Sequence, residues 1–461
     1  MEDNYSIPWQ VKQYEDLVQH RRSIYFDVDD FEEIVDHYVF KGLYKEAFEA
    51  SNHACTMHPA SIPLMLKRAQ LLATFNQEDD ALELLSRVES MDPNNNDVYL
   101  TKGGIYSQLQ DHNKAIEEYN KAVTDTDQLD HIYCNIAIEY ENLGNFDKTL
   151  EYLDKALKIN PDNDLAIYEA AYCFDLLSLT EEGISFFHRL IDRNPYSTEA
   201  WFNLGVSYIN AGQYARALDA LEYSLAIDDK HEHSWFHKGY ALGLLNRHRE
   251  AIEAYEESMA NGVKDAVKLY YIGECHEKLE DYDNAISFYI KSSQLDPEMA
   301  DAWVGIGVCQ IEQGNVQEAI HYLKQGLLLD HDNISYLCLL ANAYFLLNDH
   351  EKATSTYEQA LEADPEDEET WLEYAEALAN MNAFKDAIDL LARGVERVSK
   401  QAGLLYAMAA VLFLDNKPEE GRFCMEEAYE LDKQGAEHLL TRFPKLANNT
   451  DFQEMLQSLG Q

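Results

Sequence analysis

TEAWFNLGVSYINAGQYARALDALEYSLAIDD, residues 198–229, contains two helical patterns separated by a turn. Apolar or small residues recur at intervals of three and four, which places them on one face of each helix. On the first helix they are Trp201, Leu204, Gly205 and Tyr208, and on the second they are Ala217, Leu221, Ser224 and Leu225. Gly212 lies between the two patterns, where a left-handed residue closes a helix. The stretch therefore predicts a helical hairpin whose small residues allow close approach of the two backbones.

The same pattern recurs every 34 residues. Counted from Val28, position eight of the unit is Ala, Gly or Val in every repeat, and position twenty is Ala, Gly or Thr. Position fifteen, the predicted turn, is Gly or Asn in nine of the twelve units, and both residues tolerate left-handed backbone. The period continues without insertion from 28 to 435, which predicts twelve repeats stacked on their neighbours rather than several globular domains.

A 34-residue helix–turn–helix unit with these columns resembles the tetratricopeptide repeat. The proline that closes the family's unit is present in half of the repeats, as Pro59, Pro93, Pro161, Pro195, Pro297 and Pro365. The resemblance implies an all-α fold, a right-handed superhelical solenoid of antiparallel helix pairs. It also implies a concave groove lined by the first helix of each pair.

Residues outside the repeats are expected to cap the array. Residues 1–27 predict a capping helix from Pro8 to about Arg22, and 436–461 predict capping helices at the other end. The apolar side of the first is Trp9, Val11, Tyr14, Leu17 and Val18. At the other end Asn449 precedes a last helix that carries Phe452 and Met455.

The charge of the chain excludes several classes of partner. With 36 Lys and Arg against 84 Asp and Glu, the net charge is −48, which disfavours nucleic acid and anionic membranes. The sequence contains neither a long apolar run nor a secretory signal, and none of its seven cysteines forms a C-x-x-C pair. We expect free thiols and a cytoplasmic location, with bacterial cytoplasm the expectation because no organelle address is visible.

The sequence carries no motif for catalysis or for a cofactor. Phosphate-cradling, dinucleotide and zinc-protease patterns are absent. His233 and His237 stand four residues apart, as a metal pair can, but a third ligand is not evident. We therefore predict a non-enzymatic protein without catalytic residues, cofactor or metal.

The predicted groove is strongly acidic. By the family's pattern, positions 2, 5, 6, 9, 12 and 13 of each first helix face it, which gives 72 sites, of which only Lys67 and Lys278 are basic. Sixteen are acidic: Asp29, Glu32, Glu33, Asp36, Asp97, Glu141, Glu169, Asp175, Glu199, Glu274, Glu277, Asp301, Glu312, Glu369, Glu373 and Glu376. The ratio of acidic to basic residues at these sites far exceeds the ratio in the whole chain, so the groove is predicted to attract basic partners.

The middle of the groove is also aromatic. Position five is an aromatic ring in units five to eight, and position nine adds an apolar residue in three of them. These residues are Tyr168, Phe202, Phe236, Tyr270, Tyr172, Val206 and Tyr240. Two interpretations stay open: an aromatic strip that anchors a partner, or rings buried as core between adjacent first helices.

These features predict an interaction scaffold that binds a basic or amphipathic protein segment. The partner-binding residues are the aromatic strip together with Glu199, Glu274, Glu277 and Asp301. The co-chaperone branch of the family grips acidic C-termini with Lys, Arg and Asn at groove positions; this chain lacks that set, so we predict that acidic chaperone tails do not bind. The alternatives are a self-associating regulatory or assembly-factor solenoid, and the substrate-recognition subunit of an enzyme on another chain.

Overall fold

The computed structural model describes residues 8–20, 24–123, 128–399, 401–433 and 435–459. Throughout these residues the regular structure is helical, as the sequence predicts. The chain divides at Asp229 and Lys230 into two compact units, each of which is a solenoid of consecutive packed helix pairs.

The first unit contains thirteen helices within its described residues. They are α1 (Trp9–His20), α2 (Val28–Phe40), α3 (Tyr44–Met57), α4 (Ile62–Thr74), α5 (Glu78–Met91), α6 (Asn96–Gln108), α7 (His112–Ala122), α8 (Leu129–Asn142), α9 (Phe146–Ile159), α10 (Asp164–Leu176), α11 (Thr180–Arg193), α12 (Thr198–Asn210) and α13 (Tyr214–Ile227).

The second unit continues the pattern and adds a short C-terminal set. Its α-helices are α14 (Glu232–Leu244), α15 (His248–Asn261), α16 (Ala266–Lys278), α17 (Tyr282–Leu295), α18 (Ala300–Glu312), α19 (Val316–Leu329), α20 (Ile334–Leu346), α21 (His350–Ala363), α22 (Glu368–Asn380), α23 (Phe384–Arg397), α24 (Ala402–Leu414), α25 (Pro418–Leu431), α26 (Leu439–Arg442) and α27 (Thr450–Leu459). Two 3₁₀ turns, Gly435–His438 and Pro444–Asn448, flank α26.

Each of the twelve turns inside a helix pair contains one left-handed residue. The sequence predicts this for the nine Gly and Asn residues at position fifteen, and all nine have a positive φ. The other three, Gln110 (φ 58°), Ser178 (φ 54°) and Glu280 (φ 59°), adopt the same conformation although their side chains disfavour it. The two-helix geometry therefore imposes this backbone whatever residue the unit supplies.

The small residues of position eight lie where the two helices of a pair meet. A Cβ built on Gly239 or Gly273 would stand 2.8 Å from ring carbons of Tyr255 or Tyr289. Both rings belong to the second helix of the same pair and are almost fully buried. The position is glycine here because a tyrosine ring occupies the space that an alanine methyl group would need.

The segments outside the repeats are helical where they are described. On α1, Val11 and Tyr14 are buried, whereas Trp9 and Val18 are exposed, so the apolar side predicted for this helix is too wide. The helix ends at His20, and Arg22 lies outside the described residues. At the other end Asn449 accepts a hydrogen bond from the Phe452 N–H at 3.0 Å and so begins α27. The capping role of both segments stays a prediction.

Membrane-spanning potential and the state of the cysteines complete the description of the fold. None of the helices in the described ranges is long and apolar enough to cross a lipid bilayer. All seven cysteines are free thiols, six of them buried and Cys424 half-buried, as the sequence predicts.

Candidate partner-binding site

A cavity of about 520 Å³ lies on the first helices of the second unit. Its walls come from α14, α16 and α18 and from Asn246 and His248 at the turn into α15, and Tyr255 of α15 lies beneath. Four residues predicted from the sequence as partner-binding border it: Tyr240, Tyr270, Glu274 and Asp301. The structure thus brings together two predicted rings and two predicted carboxylates around one cavity.

The rings of the cavity form one connected cluster. Tyr271 is at its centre, with Tyr240 edge-on at 5.6 Å, Tyr270 at 5.5 Å and Tyr255 stacked at 5.7 Å between ring centroids. Phe236 packs behind the cluster, 5.8 Å from Tyr271 and 5.6 Å from Tyr255. Tyr240, Tyr270 and Tyr271 are each half-buried, so they keep part of their surface open while the cluster restrains them.

The carboxylates of the cavity stand in an unfavourable environment for negative charge. Burial raises the pKa of Glu274, and the neighbouring carboxylates of Glu277 and Asp301 add to the rise, whereas Lys278 opposes it. Burial also raises the pKa of Tyr270 and Tyr271, with the nearby carboxylates contributing. A cation that entered the cavity would relieve this repulsion and would meet electron-rich ring faces at the same time.

The two basic residues predicted in the groove have carboxylate neighbours. Lys278 borders the cavity and its Nζ lies 3.9 Å from Oε1 of Glu277. In the first unit the Nζ of Lys67 lies 2.5 Å from Oδ1 of Asp36. Each lysine therefore offsets a neighbouring acid and leaves the surplus of carboxylates in place.

Glu277 is predicted to bind a partner but points toward the core. It accepts a hydrogen bond from the Tyr289 hydroxyl at 2.8 Å, and it lies outside the cavity lining. Since Tyr289 is almost fully buried, this carboxylate helps to hold α17 against α16. Its role in partner binding stays a prediction.

The remaining predicted residues lie in the first unit. On α10, Tyr168 is 66% exposed and Tyr172 is 46% exposed, so both present open rings. On α12, Glu199, Phe202 and Val206 are half-buried. The aromatic strip is thus exposed on α10 and partly covered on α12. Its role in binding a partner stays a prediction.

Two carboxyl groups of the first unit share one site. Glu141 at the end of α8 and Glu169 on α10, both predicted to face the groove, are neighbours whose carboxyl groups interact. Burial and the charge of Glu141 raise the pKa of Glu169 to about 6. One proton shared between the two carboxyls stabilises the pair below about pH 6, and the pair repels itself above that pH.

The histidine pair on α14 is engaged in the helix. The His237 ring donates from Nδ1 to the His233 carbonyl oxygen at 2.9 Å, and burial lowers the pKa of His237. Within the described ranges, three or more metal-ligating side chains do not converge at any point.

Two members of the cluster, Tyr271 and Tyr255, are not among the residues that the sequence predicts to bind a partner. Tyr271 occupies position six of its unit, a predicted groove position, and its ring could have been found had that position been searched for aromatics as well as charges. Tyr255 lies on a second helix, where the repeat pattern places core residues. It lines the cavity because the first helices leave a gap above its ring.

Comparison with known families identifies the repeat. Models described as tetratricopeptide repeat match residues 97–124, 132–163, 198–231, 232–260, 278–343 and 344–412. Together these ranges cover more than half of the chain.

Curated relatives are distant and longer than this chain. It is 26% identical over 281 residues to the BBSome complex member BBS4 of Bos taurus, covering 61% of this chain and 54% of the relative. It is 22% identical over 352 residues to the protein CTR9 homolog of Arabidopsis thaliana, covering 72% of this chain and 29% of the relative. The chain therefore spans about half, or less, of the length of these relatives.

Among solved structures, the hetero-tetramer Cut9–Hcn1 of the APC/C is similar over most of the chain. The match covers 94% of this chain and 91% of that chain, with 16% identity and a TM-score of 0.41.

Proposed function

Because the chain belongs to the tetratricopeptide repeat family, a family of protein–protein interaction modules, we propose that it is a non-enzymatic scaffold for a basic partner. The partner segment is basic or basic-amphipathic and docks on the first helices. The observation that carries this proposal is the cavity where Tyr240, Tyr270 and Tyr271 meet Glu274 and Asp301. Rings and carboxylates around one opening suit a side chain that is apolar along its stem and cationic at its tip.

Charge and rings have different tasks in this proposal. A net charge of −48 steers a cationic partner toward the chain and speeds encounter, an effect that salt weakens. The tyrosines provide most of the binding affinity, since ordered rings bury a large area and lose little conformational freedom on binding. Relief of the repulsion around Glu274 adds to affinity only when the bound group is positive.

The relatives agree with a place in an assembly. The protein named as a BBSome complex member matches over most of this chain, which supports a role as a subunit or adaptor of a larger complex. Nucleic acid, anionic membranes and acidic chaperone tails are not proposed as partners, because the acidic first-helix face repels them.

The test is the binding of a fluorescent amphipathic peptide of Leu, Lys and Arg to the full chain, followed by anisotropy. Tyr240→Ala should weaken binding at least about tenfold, as loss of an aromatic anchor does. Glu274→Gln and Asp301→Asn should mainly slow association and reduce its salt dependence. Tyr196→Ala and Glu256→Gln, exposed residues outside the cavity lining, are the matched controls.

A peptide in which Glu replaces Lys and Arg is the control on the ligand side. It should not bind measurably at any salt concentration used. Equal binding of both peptides, or equal loss in the cavity and control variants, would show that the cavity is not the docking site.

A further inference from the structure

The segment that follows α25 returns to the first helices of the second unit. Leu439, Phe443 and Leu446 are almost fully buried in the hydrophobic core that also contains α22 and α24. These three apolar side chains fix the segment from Gly435 to Asn448, although α26 itself has only four residues. Its charged side chains are therefore held at defined places on the neighbouring helices.

Two cations of this segment lie along α22. The Nη2 of Arg442 donates to Oε1 of Glu369 at 2.5 Å, across 73 residues of sequence. The Nζ of Lys445 donates to the carbonyl oxygen of Asn380, the last residue of α22, at 3.3 Å. The C-terminus of α22 attracts the positive charge of Lys445, and a carboxylate attracts that of Arg442, so both contacts are electrostatically favourable.

Arg442 enters a pocket made almost wholly of acids and amides. The pocket has a volume of about 250 Å³, and Asn342, Glu369, Glu373, Glu376 and Asn380 line it together with Arg442. Burial raises the pKa of Glu373 and Glu376, while the guanidinium of Arg442 acts in the opposite direction on both. Without a cation, three glutamates of one helix would face each other at short range.

The fit of Arg442 is incomplete. Its Nη1 is buried and has no hydrogen-bond partner, so half of the guanidinium fork is unsatisfied. The pair with Glu369 uses one nitrogen, and the Glu369 side chain is 57% exposed. A partly exposed, single-contact ion pair holds Arg442 only weakly, so a better-fitting guanidinium can replace it, although the three glutamates still need a cation.

We propose that this pocket on α22 is an arginine-binding site, filled in the free chain by Arg442 and opened when an arginine of the partner displaces it. The proposal rests on the proposed function, because the pocket belongs to the same acidic first-helix face. A planar guanidinium with several donors matches a ring of carboxylates and amides better than an ammonium does. Arg442 is then an in-chain competitor that lowers affinity until a partner supplies a better-fitting arginine.

The first test is chemical rescue in the full chain. Arg442→Ala should lower the melting temperature, and ethylguanidinium at constant ionic strength should recover most of the loss, with ethylammonium recovering much less. Rescue should vanish when Glu369, Glu373 and Glu376 are also changed to Gln. Arg442→Gln, which retains most of the packed stem, provides the same comparison if Arg442→Ala folds poorly.

The second test is competition. The Leu–Lys–Arg peptide used for the cavity should bind Arg442→Ala at least about threefold more tightly than wild type, since an in-chain competitor has been removed. Lack of selective rescue, or unchanged peptide affinity, would overturn the arginine site. Loss of peptide binding in Tyr240→Ala bears on the proposed function alone, because that variant leaves Arg442 in place.

Discussion

Neighbouring glycines on α6 offer a direct test of how the helix pairs pack. Gly103 occupies position eight and faces Tyr119 of α7, whereas Gly104 is the next residue of the same helix. A Cβ on Gly103 would stand 2.5 Å from Cδ1 and 2.9 Å from Cζ of Tyr119. A Cβ on Gly104 would meet only the Tyr119 hydroxyl, at an ordinary 3.9 Å. The two alanine variants are therefore matched in helix position and differ in space.

The expected energies have opposite signs. Replacing Gly by Ala inside a helix raises the free energy of unfolding by about 1 kcal/mol, and both variants gain this contribution. Overpacking a well-filled core costs about 1–3 kcal/mol. We expect the upper end of this overpacking cost for Gly103→Ala, because the new methyl group clashes with the body of the buried Tyr119 ring rather than with the end of a flexible side chain. The free energy of unfolding should therefore fall by about 2 kcal/mol in Gly103→Ala and rise by up to about 1 kcal/mol in Gly104→Ala.

Hydrogen exchange is the suitable assay because repeat arrays unfold locally. Amides of α6 and α7 should exchange about 30-fold faster in Gly103→Ala, the factor that corresponds to about 2 kcal/mol. They should exchange no faster than wild type in Gly104→Ala. Adding Tyr119→Leu to Gly103→Ala should recover part of the loss, since Ala69 and Ala137 face Leu85 and Leu153 at the same positions of their units. Equal protection in both glycine variants would refute this packing of the helix pair.

Two further predictions concern charged groups. Because burial and Glu141 raise the pKa of Glu169 to about 6, the folded state favours its proton and loses stability as pH rises from its ordinary pKa of 4.5 through 6. Glu169→Gln should therefore raise the free energy of unfolding at pH 7 by about 1 kcal/mol, after allowance for solvent screening. The same variant should have little effect below about pH 4. Urea unfolding at both pH values checks this prediction. Lys268 is almost fully buried and donates hydrogen bonds to Glu232 and to the Val263 carbonyl oxygen. Lys268→Ala should therefore lower the free energy of unfolding by about 3 kcal/mol. Lys264→Ala, at an exposed lysine, should change it by less than about 0.5 kcal/mol.

The helix pairs could be predicted from the sequence because their determinants are local and repeated. Position eight specifies close approach, and position fifteen specifies the turn, in unit after unit. Gln110, Ser178 and Glu280 show the limit of residue preference, since packing of the flanking helices enforces a left-handed residue that sequence alone would not select.

The site was less predictable because it depends on contacts between repeats. Tyr240, Tyr270, Glu274 and Asp301 share the predicted face and do meet at one cavity. The orientation of Glu277 toward Tyr289 follows from the depth of a single ring on α17. Repeat position assigns a residue to a face but does not fix which neighbour its side chain contacts.

The contact of Arg442 lies beyond any repeat pattern. It joins residues 73 positions apart, through a segment whose path is set by Leu439, Phe443 and Leu446. The sequence shows these apolar residues, but it does not show that Arg442, which lies between the first two of them, contacts α22.

Selection of short random peptides on the full chain asks, without a chosen ligand, whether the acidic, tyrosine-lined cavity selects basic protein segments. We expect wild type to enrich sequences that combine Arg or Lys with an apolar residue. The double variant Tyr240→Ala/Asp301→Asn should lose that enrichment. Selection of acidic or uncharged peptides, or the same basic peptides from the double variant, would contradict it.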